Sequence, residues 1–150
     1  SNIPVVVAEH DAETFPVFKE VASQKNALMR VASMYDYSTD LLGDYQKQNI
    51  NGVVSLLHVL PQFSVSESHI INGLQRVVKN TGLRGRWEII GHQSKIIADV
   101  AHNPAGLQAV FAQLKKEQFD NLHIVFGVVS SVNRIFPLKL IGYALVSSCK

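Results

Sequence analysis

The stretch Ile-Ile-Ala-Asp-Val-Ala-His-Asn-Pro at residues 96–104 constrains the fold of this chain more than any other. Residues 96–98 are typical of a short strand, and residues 99–102 predict a turn. Asn103 and Pro104 predict a helix start, because Asn caps an unpaired backbone N–H and Pro needs no donor at the first helical position. Strand, turn and helix N-terminus together place N–H groups at a sheet edge, where anions and nucleotides bind.

The segment after Pro104 predicts a helix and a further strand. Leu107, Val110, Phe111 and Leu114 recur at helical spacing, which predicts one buried helix face. Residues 122–129 follow as an apolar run that predicts a buried strand. Strand, helix and strand in this order predict a right-handed βαβ unit, and hence an α/β fold.

A β-hairpin is predicted immediately before this unit. Residues 87–90 and 96–98 form its strands, and Arg86 and Asp99 stand at its open end, so the two should lie close together. Arg86 could neutralise phosphate charge while Asp99 accepts bonds from ribose hydroxyls. A structural Arg86–Asp99 salt bridge fits the spacing equally well. Because Asp99 is predicted to lie in a turn outside the core, its replacement by alanine is expected to leave the fold intact.

The first half of the chain predicts one strand followed by helices. Residues 4–8 form a β-branched run, and a helix ending near residue 24 is expected to bury three apolar side chains, Val17, Phe18 and Val21. Residues 28–35 predict a second strand. Asp44 is the predicted N-cap of a helix that carries Asn49 and stops before residue 61.

A third helix is predicted to follow, with a capping box at residues 64–67 and its end at Gly82.

Composition limits the class of protein. The 150 residues are 47% hydrophobic and 17% charged, which is ordinary for one globular domain, and no apolar run is long enough to span a bilayer. The single cysteine, Cys149, excludes an intramolecular disulfide and a cysteine metal cluster. A net charge of +2 without interleaved aromatic residues argues against nucleic acid. The sequence therefore predicts a cytoplasmic protein with no membrane or nucleic-acid partner and no metal ligands of its own.

Two motifs resemble a known family. Gly85 and Arg86, followed by the hairpin and then Asp-Val-Ala-His-Asn-Pro at residues 99–104, resemble the signature of the C-terminal domain of Mur-type ligases. Among these, the chain is most similar to the folylpolyglutamate synthase/dihydrofolate synthase family. Gly-Asp-Tyr-Gln-Lys-Gln-Asn at residues 43–49 is similar to the G-x-Y-Q-x-x-N motif of that family. The resemblance extends from about residue 3 to residue 129.

The resemblance implies an ATP-dependent amide ligase of folate biosynthesis and one-carbon metabolism. Such an enzyme adds L-glutamate to folates, or to dihydropteroate, through an acyl phosphate, with ATP and Mg²⁺. It implies ATP-binding roles for Asn49, which would contact the base, and for Arg86, Asp99, Val100, Ala101 and His102. It implies no catalytic residue in this chain, because the phosphate-binding loop and most Mg²⁺ ligands of the family lie in its ATPase domain. We therefore expect the chain alone to bind ATP only weakly and to have no ligase activity.

The resemblance also implies a domain organisation. It predicts a Rossmann-like C-terminal domain of Mur-type ligases at residues 28–150, a three-layer sheet with flanking helices that is incomplete at both ends. Residues 1–27 would be the end of the ATPase domain plus a linker, so the strand at residues 4–8 should be displaced, mobile or paired with another chain. The tail at residues 130–150 departs from the family, since it begins Ser-Ser-Val-Asn where the family has Asp-Lys-Asp.

Two alternatives remain open from the sequence. The chain could belong to a Mur-type ligase that acts on a peptidoglycan precursor, although Tyr45, Gln46 and Val100 argue against this. It could also be a non-catalytic nucleotide-binding module, because no G-x-x-x-x-G-K-[ST] motif is present.

Overall fold

A computed structural model describes residues 3–60, 62–129 and 139–148 of the chain. These residues form two compact units. The first unit comprises Ser1–Thr39 and Tyr45–Arg76, and the second comprises Asp40–Asp44 and Val77–Lys150. None of the helices in the described ranges is both long and apolar enough to cross a membrane. The predicted domain division at residue 27 stays a prediction.

The first unit begins with a parallel pair of strands joined by a helix. Strand β1 (Val5–Val7) pairs with β2 (Met29–Val31), and α1 (Phe15–Gln24) connects them. The expectation that residues 4–8 lack a neighbour within the chain is therefore wrong. The strand predicted at residues 28–35 is shorter than expected, because the backbone N–H groups of Ser33 and Tyr35 bond to side chains of the helix that follows instead of to a strand.

Helix α1 does not bury the face that its sequence predicted. Val17 is 60% exposed and Phe18 and Val21 are each 48% exposed, whereas Ala22 is buried. The prediction that the three larger side chains are buried is wrong. Two strands of three residues each offer too little surface to cover a ten-residue helix.

The core of the first unit lies between two helices. Helix α2 (Gln46–His58) and helix α3 (Glu67–Leu74) bury Ile50, Val54 and Ile70 against one another. Asn49 lies in the first turn of α2, as predicted. Five partly buried apolar side chains complete this cluster: Tyr35, Tyr37, Leu57, Val65 and Leu74.

The predicted cap of α2 is wrong. Its N-cap is Tyr45, which makes no side-chain cap bond. Asp44 instead belongs to the second unit, where its backbone N–H donates to Gln113 Oε1 at 2.7 Å and its carboxylate pairs with Lys116 at 2.6 Å. Asp44 is therefore positioned by residues distant in sequence, although its residue type alone suggested a helix cap.

The helix predicted to run to Gly82 is two helices. The capping box predicted at residues 64–67 is wrong, because the box of α3 joins Ser66 to His69, and the helix ends at Leu74. Helix α4 (Val77–Thr81) belongs to the second unit, and the Asp40 carboxylate accepts from the backbone N–H groups of its first two residues at 3.1 and 3.0 Å. Because Asp40 caps these groups, a new helix begins there.

The second unit is built on a four-stranded antiparallel sheet. Its strands are β3 (Glu88–Gly91), β4 (Lys95–Asp99), β5 (Asn121–Val129) and β6 (Lys139–Ser148), in the spatial order β3-β4-β6-β5. The predicted hairpin is β3 and β4. Helix α5 (Pro104–Leu114) connects β4 to β5.

The relation between β4 and β5 differs from the prediction. Both strands pair antiparallel with β6, so they run in the same direction but are not neighbours. The α/β class is therefore confirmed as mixed helices and strands in small sheets, whereas the Rossmann-like three-layer arrangement stays a prediction. The Ser-Ser-Val-Asn segment and Cys149 lie outside the described residues.

Strand β5 was predicted to be buried, and this is wrong. Ile124, Val125 and Phe126 are all exposed, and because successive side chains point to opposite faces of a sheet, both faces of β5 are exposed at these positions. Strand β5 is also an edge strand of the sheet as the structure describes it. An apolar run alone does not distinguish an edge strand from a central one.

Candidate functional site

Two hydrogen bonds join the chain segments at the open end of the β3–β4 hairpin, one to a side chain and one between backbone groups. The Trp87 N–H donates to Asp99 Oδ2 at 2.8 Å, and the Val100 N–H donates to the Gly85 carbonyl at 3.0 Å. This confirms that the segment around Arg86 approaches the turn after β4, as the hairpin spacing predicted. The Gly85–Arg86 segment therefore has a defined position relative to the turn at residues 99–102.

Asp99 is a buried strand residue and not an exposed turn residue. It is the last residue of β4 and is 2% exposed. Its Oδ1 accepts from the Ala101 N–H at 2.8 Å, while its Oδ2 accepts from Trp87. The prediction that Asp99 lies outside the core is wrong, because carboxylate bonds to two backbone donors offset the cost of burying the charge. Its predicted contact with ribose stays a prediction.

The backbone around Arg86 is left-handed on both sides. Gly85 has a φ of +68° and Trp87 has a φ of +53°, a conformation that is rare for a bulky residue. Trp87 is also 2% exposed, so burial of its indole and the bond from its N–H to Asp99 hold it in this conformation. Strain of this kind is found at functional sites, where the surrounding structure determines the backbone.

Residue 85 must be glycine because of a close contact with Val100 as well as because of its left-handed backbone. A Cβ at this position would lie 2.6 Å from Val100 Cγ1. The segment before β3 can therefore approach the turn after β4 this closely only because residue 85 has no side chain.

Replacing Gly85 with alanine should lower the free energy of unfolding by about 2 kcal/mol or more, since it adds a left-handed Cβ and a steric clash. Gly82→Ala is the matched control, because Gly82 has a φ of +69° but open space around it. The Gly82→Ala substitution should lower the free energy of unfolding by only about 1 kcal/mol, which is the cost of a left-handed backbone without a steric clash. Chemical denaturation of both single variants, and of the double variant that combines Gly85→Ala with Val100→Ala, tests whether the clash with Val100 occurs. The Val100 substitution should recover part of the loss, and strict additivity would contradict this contact.

Arg86 lies at the rim of a cavity in the second unit. The cavity has a volume of about 280 Å³, and its lining includes Arg86, Trp87, Ile89 and His92. Arg86 is half-buried, and its Nη1 donates to the Gly85 carbonyl at 3.2 Å. The guanidinium carries further donors beyond this one, which can serve an anion.

Glu88 was not singled out from the sequence. Its carboxylate accepts from the Gly85 N–H at 2.8 Å and pairs with Arg84. The bond from Gly85 lowers the pKa of Glu88, and Arg84 lowers it further. The charged carboxylate is therefore favoured in the folded chain, and its support of the Gly85 turn is lost as the pH falls through this lowered pKa. The i, i+4 spacing of Arg84 and Glu88 was the available signal.

The turn after β4 leads into the N-terminus of α5. His102 is exposed, and its Nδ1 lies 3.1 Å from the Val100 carbonyl oxygen. Asn103 caps α5 as predicted, since its Oδ1 accepts from the Gly106 N–H at 2.7 Å. The second unit thus brings together the segment around Arg86, the turn that contains His102 and a capped helix N-terminus.

Asn49 lies in the first unit, apart in the chain from these residues. It lines a groove of about 370 Å³ together with five residues that carry no polar side chain: Val6, Ala8, Gly52, Val53 and Leu56. Its Nδ2 donates to Gln46 Oε1 at 2.8 Å. The convergence of Asn49 with Arg86, Asp99 and His102 stays a prediction.

The sequence was compared with families and with curated proteins. Residues 85–134 match the family model described as Mur ligase, glutamate ligase domain. A probable bifunctional folylpolyglutamate synthase/dihydropteroate synthase of Haloferax volcanii is 29% identical over 126 residues, which cover 81% of this chain and 14% of that protein. A probable dihydrofolate synthetase of Schizosaccharomyces pombe is 41% identical over 70 residues, which cover 45% of this chain and 16% of that protein.

A third relative carries the name of a different ligase. The UDP-N-acetylmuramoyl-L-alanyl-D-glutamate–2,6-diaminopimelate ligase of Aquifex aeolicus is 28% identical over 102 residues, which cover 67% of this chain and 20% of that protein. The chain thus spans between 14% and 20% of the length of these three relatives. No solved structure matches it.

Proposed function

Because residues 85–134 match the family model described as Mur ligase, glutamate ligase domain, we propose that the chain is part of an ATP-dependent ligase that adds L-glutamate to folates. Two of the relatives described above carry folate-ligase names. The reaction proceeds through phosphorylation of a substrate carboxylate by ATP, followed by attack of the glutamate amine on the acyl phosphate. The substrates are folate or dihydropteroate together with L-glutamate.

The position of Arg86 carries this proposal. Two left-handed residues and the buried Asp99 carboxylate fix the backbone on either side of it. A guanidinium on a backbone held in this way provides charge-assisted donors for phosphate oxygens. In this reading, Asp99 positions Arg86 and the backbone of Val100 and Ala101, while the exposed His102 is available to the nucleotide.

The groove at Asn49 supports a role toward the base. Its side walls are apolar, as suits the faces of a purine ring, and the Asn49 amide supplies the polar contact at one edge. We propose that Asn49 contacts the adenine of ATP.

Magnesium is not assigned to this chain. Among the described residues, no group of three or more histidine, cysteine, aspartate or glutamate side chains could hold a metal ion. We propose that the Mg²⁺ which accompanies ATP in this reaction takes its ligands elsewhere, and no role of the residues above depends on it.

Replacing Arg86 with alanine should weaken ATP binding by about tenfold or more, since each charge-assisted hydrogen bond contributes about 1.5–3 kcal/mol. We expect the chain itself to bind ATP weakly, in the millimolar range, which NMR titration can measure. Arg30→Ala is the charge-matched control, because Arg30 is an exposed residue of the first unit. Equal affinities of the two variants would contradict the assignment of Arg86 to the phosphates.

One observation favours a second candidate function. The similarity to the Aquifex ligase is compatible with an amino-acid ligase that acts on a peptidoglycan precursor. Phosphate release by the full-length enzyme, measured with folate or dihydropteroate plus glutamate and with a UDP-muramoyl peptide plus diaminopimelate, separates the two. Turnover with only the muramoyl substrate would overturn the folate assignment.

A further inference from the structure

The side-chain amide of Asn49 is engaged on one side only. Its Nδ2 donates to Gln46 Oε1 at 2.8 Å, and no partner of its Oδ1 is found among the residues that the structure describes. Asn49 itself is exposed and lines the groove between β1 and α2. The Oδ1 of Asn49 is therefore available as a hydrogen-bond acceptor for a ligand in the groove.

Gln46 differs from Asn49 in its surroundings. It is the first residue of α2 and is only 6% exposed. A buried amide must be paired donor to acceptor, since two facing oxygens or two facing NH₂ groups would leave a buried polar group without a partner. The orientation of the Asn49 amide is therefore coupled to that of Gln46.

We propose that Gln46 is a positioning residue that turns the Asn49 amide so that its Oδ1 faces the nucleobase, and that this selects a 6-aminopurine over a 6-oxopurine. The inference rests on the proposed contact of Asn49 with the base. An amino group at the purine 6 position donates to Oδ1. A carbonyl oxygen at that position would face Asn49 Oδ1, and two acceptors cannot form a hydrogen bond with each other.

The wild-type chain provides the first test, because ATP and inosine triphosphate differ only at purine positions 6 and 1. ATP has an amino group at position 6 and an unprotonated N1, whereas inosine triphosphate has a carbonyl at position 6 and a hydrogen on N1. Purine riboside triphosphate, which carries hydrogen at position 6, is the intermediate probe. We expect ATP to bind about tenfold more tightly than inosine triphosphate, with purine riboside triphosphate between them. Tighter binding of inosine triphosphate would overturn the inference, because it would mean that Nδ2 faces the base.

Two variants test the role of Gln46. Gln46→Met keeps a similar length but has no amide, so the Asn49 amide is free to turn and the preference for ATP should fall to within about twofold. Gln46→Glu can only accept, so it holds Nδ2 as before and should keep the full preference. Glutamate is also compatible with the first turn of a helix. Circular dichroism establishes that each variant is folded.

The outcomes separate the inference from the proposed function. A folded Gln46→Met variant with an unchanged ATP preference, or a folded Gln46→Glu variant without one, overturns the inference while the nucleotide site stands. Equal binding of all three nucleotides by the wild-type chain does the same. No binding of any nucleotide at millimolar concentration overturns the proposed function and, with it, the inference.

Discussion

Replacing Asp99 with alanine should lower the free energy of unfolding of the second unit by about 3 kcal/mol or more, since it removes two charge-assisted bonds of about 1.5–3 kcal/mol each. The Trp87 and Ala101 N–H groups would lose their acceptor in a site where Asp99 is 2% exposed. Trp87 is the single tryptophan of the chain and lies in this unit, so its fluorescence during urea denaturation reports the loss directly.

Two further variants define what the Asp99 carboxylate does. Asp99→Asn keeps one acceptor oxygen and should fall between the wild-type and alanine chains. Asp36→Ala removes an exposed carboxylate in the first unit and should change stability by no more than about 0.5 kcal/mol. If Asp99→Ala instead left the urea midpoint unchanged and weakened only ATP binding, the carboxylate would act on the ligand and not on the backbone.

Replacing Trp87 with alanine should destabilise the second unit by about 3–5 kcal/mol, because the indole is among the largest fully buried side chains. Trp87→Gly removes the same indole but tolerates the left-handed conformation at φ +53°. We therefore expect the glycine variant to be more stable than the alanine variant by about 1 kcal/mol, which reverses the usual order of these residues. Denaturation followed by circular dichroism measures both.

Ile90 provides the matched control for this comparison. It lies in β3, is 51% exposed, and is not among the residues with positive φ. There, glycine should be less stable than alanine, as is usual for a strand. An alanine variant at position 87 that was the more stable of its pair would show that Trp87 stores no backbone strain.

Local chemistry determined part of this protein without reference to the rest of the chain. The Asn103 cap and the Pro104 helix start, the β3–β4 hairpin and the strand at residues 121–129 all follow from residue type and spacing, and the structure has them. The helix start depends on an interaction within a few residues, the bond from the Gly106 N–H to Asn103 Oδ1. The approach of Arg86 to the turn after β4 follows in turn from the hairpin, since antiparallel strands bring their open ends together.

Only the tertiary structure decided which of these residues are buried and what they contact. Asp99 is a buried acceptor for the Trp87 N–H, and Asp44 contacts Gln113 instead of capping α2. Strand β5 lies at an edge because β6 pairs between it and β4. Burial and hydrogen-bond partners depend on segments far apart in sequence, so residue type and periodicity determined the position of most helices and strands but not the environment of their side chains.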